Sequence, residues 1–121
     1  MKGPITAFAK GALIPLTYDQ FKYGFPPQEP DSLTGLDFIF TVRRAHDRSQ
    51  VIRYTLGNGI TADLVEGKVV AYVEIDTNSD DWAPFVRYEY DFWVIDDARG
   101  PHRLYTSWIQ LDEAETEDLT I

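Results

Sequence analysis

Val86-Arg87-Tyr88-Glu89-Tyr90-Asp91-Phe92-Trp93-Val94-Ile95 alternates without a break. Val86, Tyr88, Tyr90, Phe92 and Val94 share one side; Arg87, Glu89, Asp91, Trp93 and Ile95 share the other. Successive side chains of a strand point to opposite faces, so this run reads as a strand with one buried face and one charge-mixed face. Leu36 to Arg44 repeats the pattern, with Phe38, Phe40 and Val42 facing one way and Asp37, Ile39, Thr41 and Arg43 the other.

Shorter strands surround these two. Val51 to Leu56 is a β-branched run followed by the turn signal Asn58-Gly59. Ile60 to Val65, then Glu66-Gly67, then Lys68 to Ile75 predicts a tight hairpin, because Gly supplies the positive φ that two-residue turns require. Asp96 to Pro101 is a turn rich in Asp, Gly and Pro, and His102 to Leu111 is the closing strand. Ala12 to Thr17 is the first strand, and Pro15, which lacks a ladder donor, demands an edge position for it. About seven short strands and no helix of more than a turn or two predict an all-β chain, an immunoglobulin-like antiparallel β-sandwich. Phe38, Phe40, Val42, Val86, Tyr88, Tyr90, Phe92 and Val94 are its expected core.

The domain spans residues 1–111, with a proline-rich segment over 1–35 and an acidic tail over 112–121. Five of the seven prolines lie in the first 35 residues, Pro4, Pro15, Pro26, Pro27 and Pro30, which excludes a long helix there. The tail carries five acids and no base. No stretch approaches the ~20 apolar residues of a membrane-spanning helix. Lys10, Gly11 and Pro15 interrupt what would be the apolar region of a signal peptide, so the mature protein is expected to begin at or near Met1.

Composition narrows function. With no Cys, a disulfide framework, a Cys-ligated zinc site and a thiol nucleophile are excluded. The net charge of −9 argues against nucleic acid, since an acidic chain repels phosphate backbones. There is no Gly-rich phosphate loop, Ser-centred elbow or His-x-x-x-His pair, so no enzyme, metal or cofactor is expected. His46 and His102 read as loop histidines, because their spacing does not make them converge with a carboxylate. Asp76, Asp80 and Asp81 form an oxygen-rich loop, but without the EF-hand glycine, so they read as turn residues. Glu89 and Asp91 point the same way along one strand, as a glycosidase pair would, but they share their face with Arg87 and read as a solvated face. Trp93 lies on the charged face of its strand and Trp108 on the last strand. Each is either covered by another part of the chain or free to serve an interface or stack on a sugar.

A further likeness rests on longer motifs. Pro84-Phe85-Val86-Arg87-Tyr88-Glu89-Tyr90-Asp91 passes through alternating apolar residues to the Asp-rich turn at Asp96. Asp31-Ser32-Leu33-Thr34-Gly35-Leu36-Asp37 opens the earlier strand, which leaves through Val42-Arg43. Lys10-Gly11, Leu56-Gly57-Asn58-Gly59-Ile60, Glu66-Gly67-Lys68-Val69 and Leu104-Tyr105-Thr106-Ser107-Trp108-Ile109 complete the set. Over residues 10–111 the chain resembles the immunoglobulin-like domain at the N-terminus of phage baseplate upper proteins and short stand-alone relatives in phage structural gene clusters. That resemblance implies a virion structural protein of tail, baseplate or head surface. It would be made in the host bacterial cytoplasm and bind other virion proteins. A phage surface module that binds carbohydrate is the alternative, and a small glycan hydrolase a third. Tyr88, just after a loop and two residues before Tyr90, has the placement of a tyrosine corner, whose hydroxyl bonds upstream backbone.

Residues 1–35 are neutral yet hold Phe8, Tyr18, Phe21, Tyr23 and Phe25. Two expectations follow. Phe21, Tyr23, Phe25, Pro26 and Pro27 pack on a neighbouring subunit or virion protein, together with Trp93 and Trp108, in a homo-oligomer for example; or the segment folds back over its own sheet and covers Trp93 or Trp108.

Overall fold

The computed structural model describes residues 4–23 and 26–113. It contains seven strands: β1 (Leu13–Tyr18), β2 (Leu36–Arg44), β3 (Gln50–Leu56), β4 (Gly59–Val65), β5 (Lys68–Asp76), β6 (Arg87–Asp96) and β7 (Gly100–Gln110). Among the described residues there is no helix. The chain is all-β, and each strand lies within a residue or two of the alternating run that predicts it. In β6 the period of two is realised as burial, with Tyr88, Tyr90, Phe92 and Val94 at 1% exposure or less. Val86 lies just before the strand and packs, partly buried, against the same core. Pro15 sits where its missing donor is harmless, in β1 at the edge of the sheet. The β4–β5 hairpin turns on Glu66 (φ 52) and Gly67 (φ 79), both left-handed, with Val65 paired to Lys68. This is the backbone of a two-residue primed turn.

The strands form one curled sheet in the order β1-β5-β4-β3-β2-β6-β7, rather than two separate antiparallel sheets. Five junctions are antiparallel, and only β3–β4 is parallel, pairing Thr55 with Gly59 and Leu56 with Ile60. The cause is local. Thr55 and Asn58 exchange backbone hydrogen bonds of 3.1 and 2.9 Å, and Gly57 donates to the Ile60 carbonyl at 2.8 Å. Gly57 (φ 83) and Gly59 (φ 99) take the left-handed backbone this corner needs. The chain therefore steps from one half of the fold to the other without leaving the sheet. The halves β4-β5-β1 and β3-β2-β6-β7 have the strand orders D-E-B and C′-C-F-G of an immunoglobulin-like domain. Their inner faces share one core, with Ile14, Val73 and Ile75 from the first half and Phe38, Phe40 and Phe92 from the second.

Opposite the β3–β4 corner, aromatic rings close the gap. Tyr18 of β1 stands 5.6 Å from Phe92 of β6 and is stacked 5.9 Å from Tyr105 of β7. Phe21 meets Tyr18 edge-on at 4.9 Å and Phe38 at 5.5 Å. The intersubunit reading therefore fails at Phe21 and Tyr23, which are 3% and 6% exposed beneath their own chain. The segment does fold back, but it seals the open side of the core; Trp93 and Trp108 lie on strand positions that face away from that core. Pro26 and Pro27 are exposed, and Phe25 lies outside the described residues.

The N-terminal residues add a pairing that their sequence pattern does not announce. Ile5 bridges Ile109 of β7 and Ala9 bridges Asp112 just after it, both in parallel. Asp112 is thus tied into the domain, donating to the Phe8 carbonyl at 3.0 Å and accepting from the Lys10 amide at 3.0 Å. The remainder of the acidic tail, 114–121, lies outside the described residues.

Candidate functional site: the outer face of β3-β2-β6-β7

The outward half of each alternating strand converges on one surface. Register sets Ile39, Trp93 and Arg103 in one row across β2, β6 and β7. The next row holds Arg53, Thr41, Asp91 and Thr106, and a third holds Arg43, Glu89 and Trp108. Arg48, from the β2–β3 connection, reaches the Glu89 carboxylate at 2.9 Å. Arg43 lies 3.6 Å from the Asp91 carboxylate. Arg87 sets its guanidinium 4.5 Å above the Trp108 ring, so one face of that indole is already occupied. Thr41 points outward yet is only 2% exposed, because the long side chains beside it roof it over.

Two shallow depressions share Arg43 and Asp91. One, of about 350 Å³, is bounded by Ile39, Arg53, Trp93 and Ile95. The other, of about 230 Å³, is bounded by Arg48, Glu89, Arg103 and Thr106. Arg53 and Arg103 are exposed. Among the described residues neither forms a salt bridge. Alternation predicts the outward placement of Trp93 and Asp91. It does not single out Arg53 and Arg103, because their neighbours are decided by register between strands distant in sequence. Their own parity is the only sequence signal.

The remaining candidates do not join this surface. Tyr88 is fully buried, and its hydroxyl accepts from the Ala83 amide at 2.7 Å and donates to the Asp81 carbonyl at 3.2 Å. These bonds pin the β5–β6 connection in the manner of a tyrosine corner. His46 is exposed 3.5 Å from Asp47, whose carboxyl is held below its ordinary range first by the Ser49 backbone amide. The His102 ring lies tilted, 5.2 Å from that of Tyr23. His46 lies beyond Arg44, which pairs with Tyr88, whereas His102 pairs with Val94. Six residues of strand, about 20 Å, separate the two ends. In the Asp76–Asp81 loop the Lys10 ammonium donates to the Ser79 carbonyl at 2.9 Å and reaches that of Thr77 at 3.5 Å.

A second polar cluster lies at the β6–β7 turn. The Tyr23 hydroxyl donates to Asp96 Oδ2 at 2.7 Å, while Ala98 and Arg99 amides donate to Oδ1. Arg99 adds a 3.1 Å salt bridge and also bonds Gln28. Asp96 is held below its ordinary range, first by the Tyr23 hydroxyl; burial and then the carboxylate push Tyr23 up to about 12. The cluster fastens the proline-rich segment to the turn, and both oxygens of the Asp96 carboxylate are already engaged within the chain. In the core, the Tyr90 and Tyr105 hydroxyls lie 2.8 Å apart, and burial raises both above the usual phenol value.

Compared with known protein families and with curated proteins, the chain matches none of them.

Proposed function

We propose that this protein is a bacteriophage virion structural component, an immunoglobulin-like assembly module of tail, baseplate or head surface that acts by protein–protein contact. The observation that carries the interaction role is the outer face of β3-β2-β6-β7, where Trp93 stands among arginines on a broad sheet surface. Tryptophan and arginine are the residues most enriched among the anchors of protein interfaces. The phage assignment rests on the motif resemblance over residues 10–111. Glu89 and Asp91 each face a guanidinium, Arg48 and Arg43, which favours a non-catalytic role over paired carboxyls working on a glycosidic bond.

Carbohydrate binding is the second reading. It is favoured by the depression that sets the Trp93 ring beside Asp91 and Arg53. Mass spectrometry of gradient-purified particles of the phage that encodes the chain tests the leading reading. The chain should appear at fixed stoichiometry with the other virion proteins. Its absence from particles would reject the virion role, and retention on a glycan column that Trp93→Ala abolishes would favour the sugar.

A further inference from the structure

We propose that the outer face of β3-β2-β6-β7 docks an acidic protein surface, with Arg53 and Arg103 as its anchoring charges and Trp93 as the apolar seat beside Arg103. The inference rests on reading this face as the interface of an assembly module. It starts from an asymmetry of charge. The chain carries a net −9, yet every arginine lies on β2, β3, β6, β7 or the connections β2–β3 and β6–β7. None lies on β1, β4 or β5. On the outer face Arg43, Arg48, Arg53, Arg87 and Arg103 stand against three carboxylates, Asp37, Glu89 and Asp91. This face is basic on a chain that is otherwise strongly acidic.

Three of the five arginines are engaged: Arg43 by Asp91, Arg48 by Glu89 and Arg87 by the Trp108 ring. Arg53 and Arg103 are the two left exposed with neither a salt bridge nor a cation–π contact among the described residues. A guanidinium presents a planar fork that matches a carboxylate, so these two are primed for acidic groups from outside. Arg103 pairs directly with Trp93 across β6–β7, which places charge beside an aromatic ring.

Spacing separates a protein partner from a single sugar. Arg53 is on β3 and Arg103 on β7, at opposite margins of four adjacent strands. At ~4.8 Å per strand, and one row (about 6.6 Å) apart along the strands, their backbones are about 16 Å apart. Arg53 lines one of the two depressions and Arg103 the other, so a carboxylate seated in either meets one of them, whereas carboxylates on different residues of a protein surface can meet both. The acidic remainder of the chain repels such a partner everywhere else, so the same charges also orient the encounter.

An oligoglutamate peptide of about eight residues is long enough to span both arginines and serves as the probe. Titrated against the full chain and followed by tryptophan fluorescence, it should bind at low ionic strength and weaken as salt shortens the Debye length. Arg53→Gln with Arg103→Gln should weaken it roughly tenfold, the effect of about 1.4 kcal/mol. Lys68→Gln, on the other half of the fold, should leave it unchanged. Unaltered urea midpoints would show that the variants fold. No binding, or binding indifferent to the double substitution, would overturn the proposal. Preference for an oligogalacturonate of equal length would overturn it in favour of an acidic glycan. Concentration-dependent sedimentation of the chain alone, lost in the double variant, would support it and identify the acidic surface as that of a second copy. Peptide binding by a chain that is absent from particles would reject the virion reading while leaving this one standing.

Discussion

Tyr88 and Tyr23 each spend a hydroxyl on holding chain segments together, with different consequences. Tyr88→Phe leaves the ring in place and removes both backbone bonds of the corner. It should cost about 1–3 kcal/mol, because the part-buried Ala83 amide loses its acceptor; an unchanged urea midpoint would show that the corner carries no stability. The Tyr23–Asp96 bond predicts a pH window. Asp96 titrates lower in the folded chain than the ~3.9 of a free side chain, so its contribution is present above that value and lost as pH falls through the folded one. Tyr23, raised to about 12, contributes fully below the free phenol's ~10 and loses that contribution as pH rises toward 12. Melting temperature should therefore fall below about pH 4 and above about pH 10. Tyr23→Phe should weaken both arms, and part of the alkaline one remains because Tyr90 and Tyr105 are raised as well. Identical pH profiles for the two proteins would remove the bond from the account.

At the level of elements, the hairpin and the corner test backbone strain. Glu66 occupies a left-handed position that asparagine or glycine tolerates better. Glu66→Asn should stabilise by a few tenths to about 1 kcal/mol, seen as a higher melting temperature. The corner glycines discriminate more sharply. A Cβ on Gly57 meets nothing within 4 Å, whereas one on Gly59 would run into the Tyr54 ring. Gly57→Ala should cost about 1–3 kcal/mol for its φ alone. Gly59→Ala should cost distinctly more, since it also displaces Tyr54 beside the strand pairing that joins the halves. Equal urea midpoints for the two variants would contradict that role for the corner. The strands on either side are legible in the sequence because alternation is a local property. The parallel step between them is not, because Asn58-Gly59 signals a turn without saying whether the chain reverses or passes on.

In the whole molecule, the fold-back of the N-terminal segment is decided by burial rather than by composition. Phe21 is 3% exposed against Phe38, Phe92 and Tyr18, so Phe21→Ala should cost about 3–5 kcal/mol in a chain whose sedimentation is unaltered. An oligomer that dissociates into equally stable monomers would reinstate the intersubunit role. The sequence alone determined the class of the fold, the seven strands, the buried side of β2 and β6, the edge position of β1 and the outward placement of Trp93. Each of these follows from a period of two, a proline or a glycine read within ten residues. Only the tertiary structure decided that the two halves remain one sheet. The same holds for the closure of the core by Phe21 and Tyr23, the parallel pairing of Ile5 with Ile109 and of Ala9 with Asp112, and the exposure of Arg53 and Arg103 without acidic partners among the described residues. These depend on which strands lie side by side and in what register, which is set by the joint burial of residues up to a hundred positions apart.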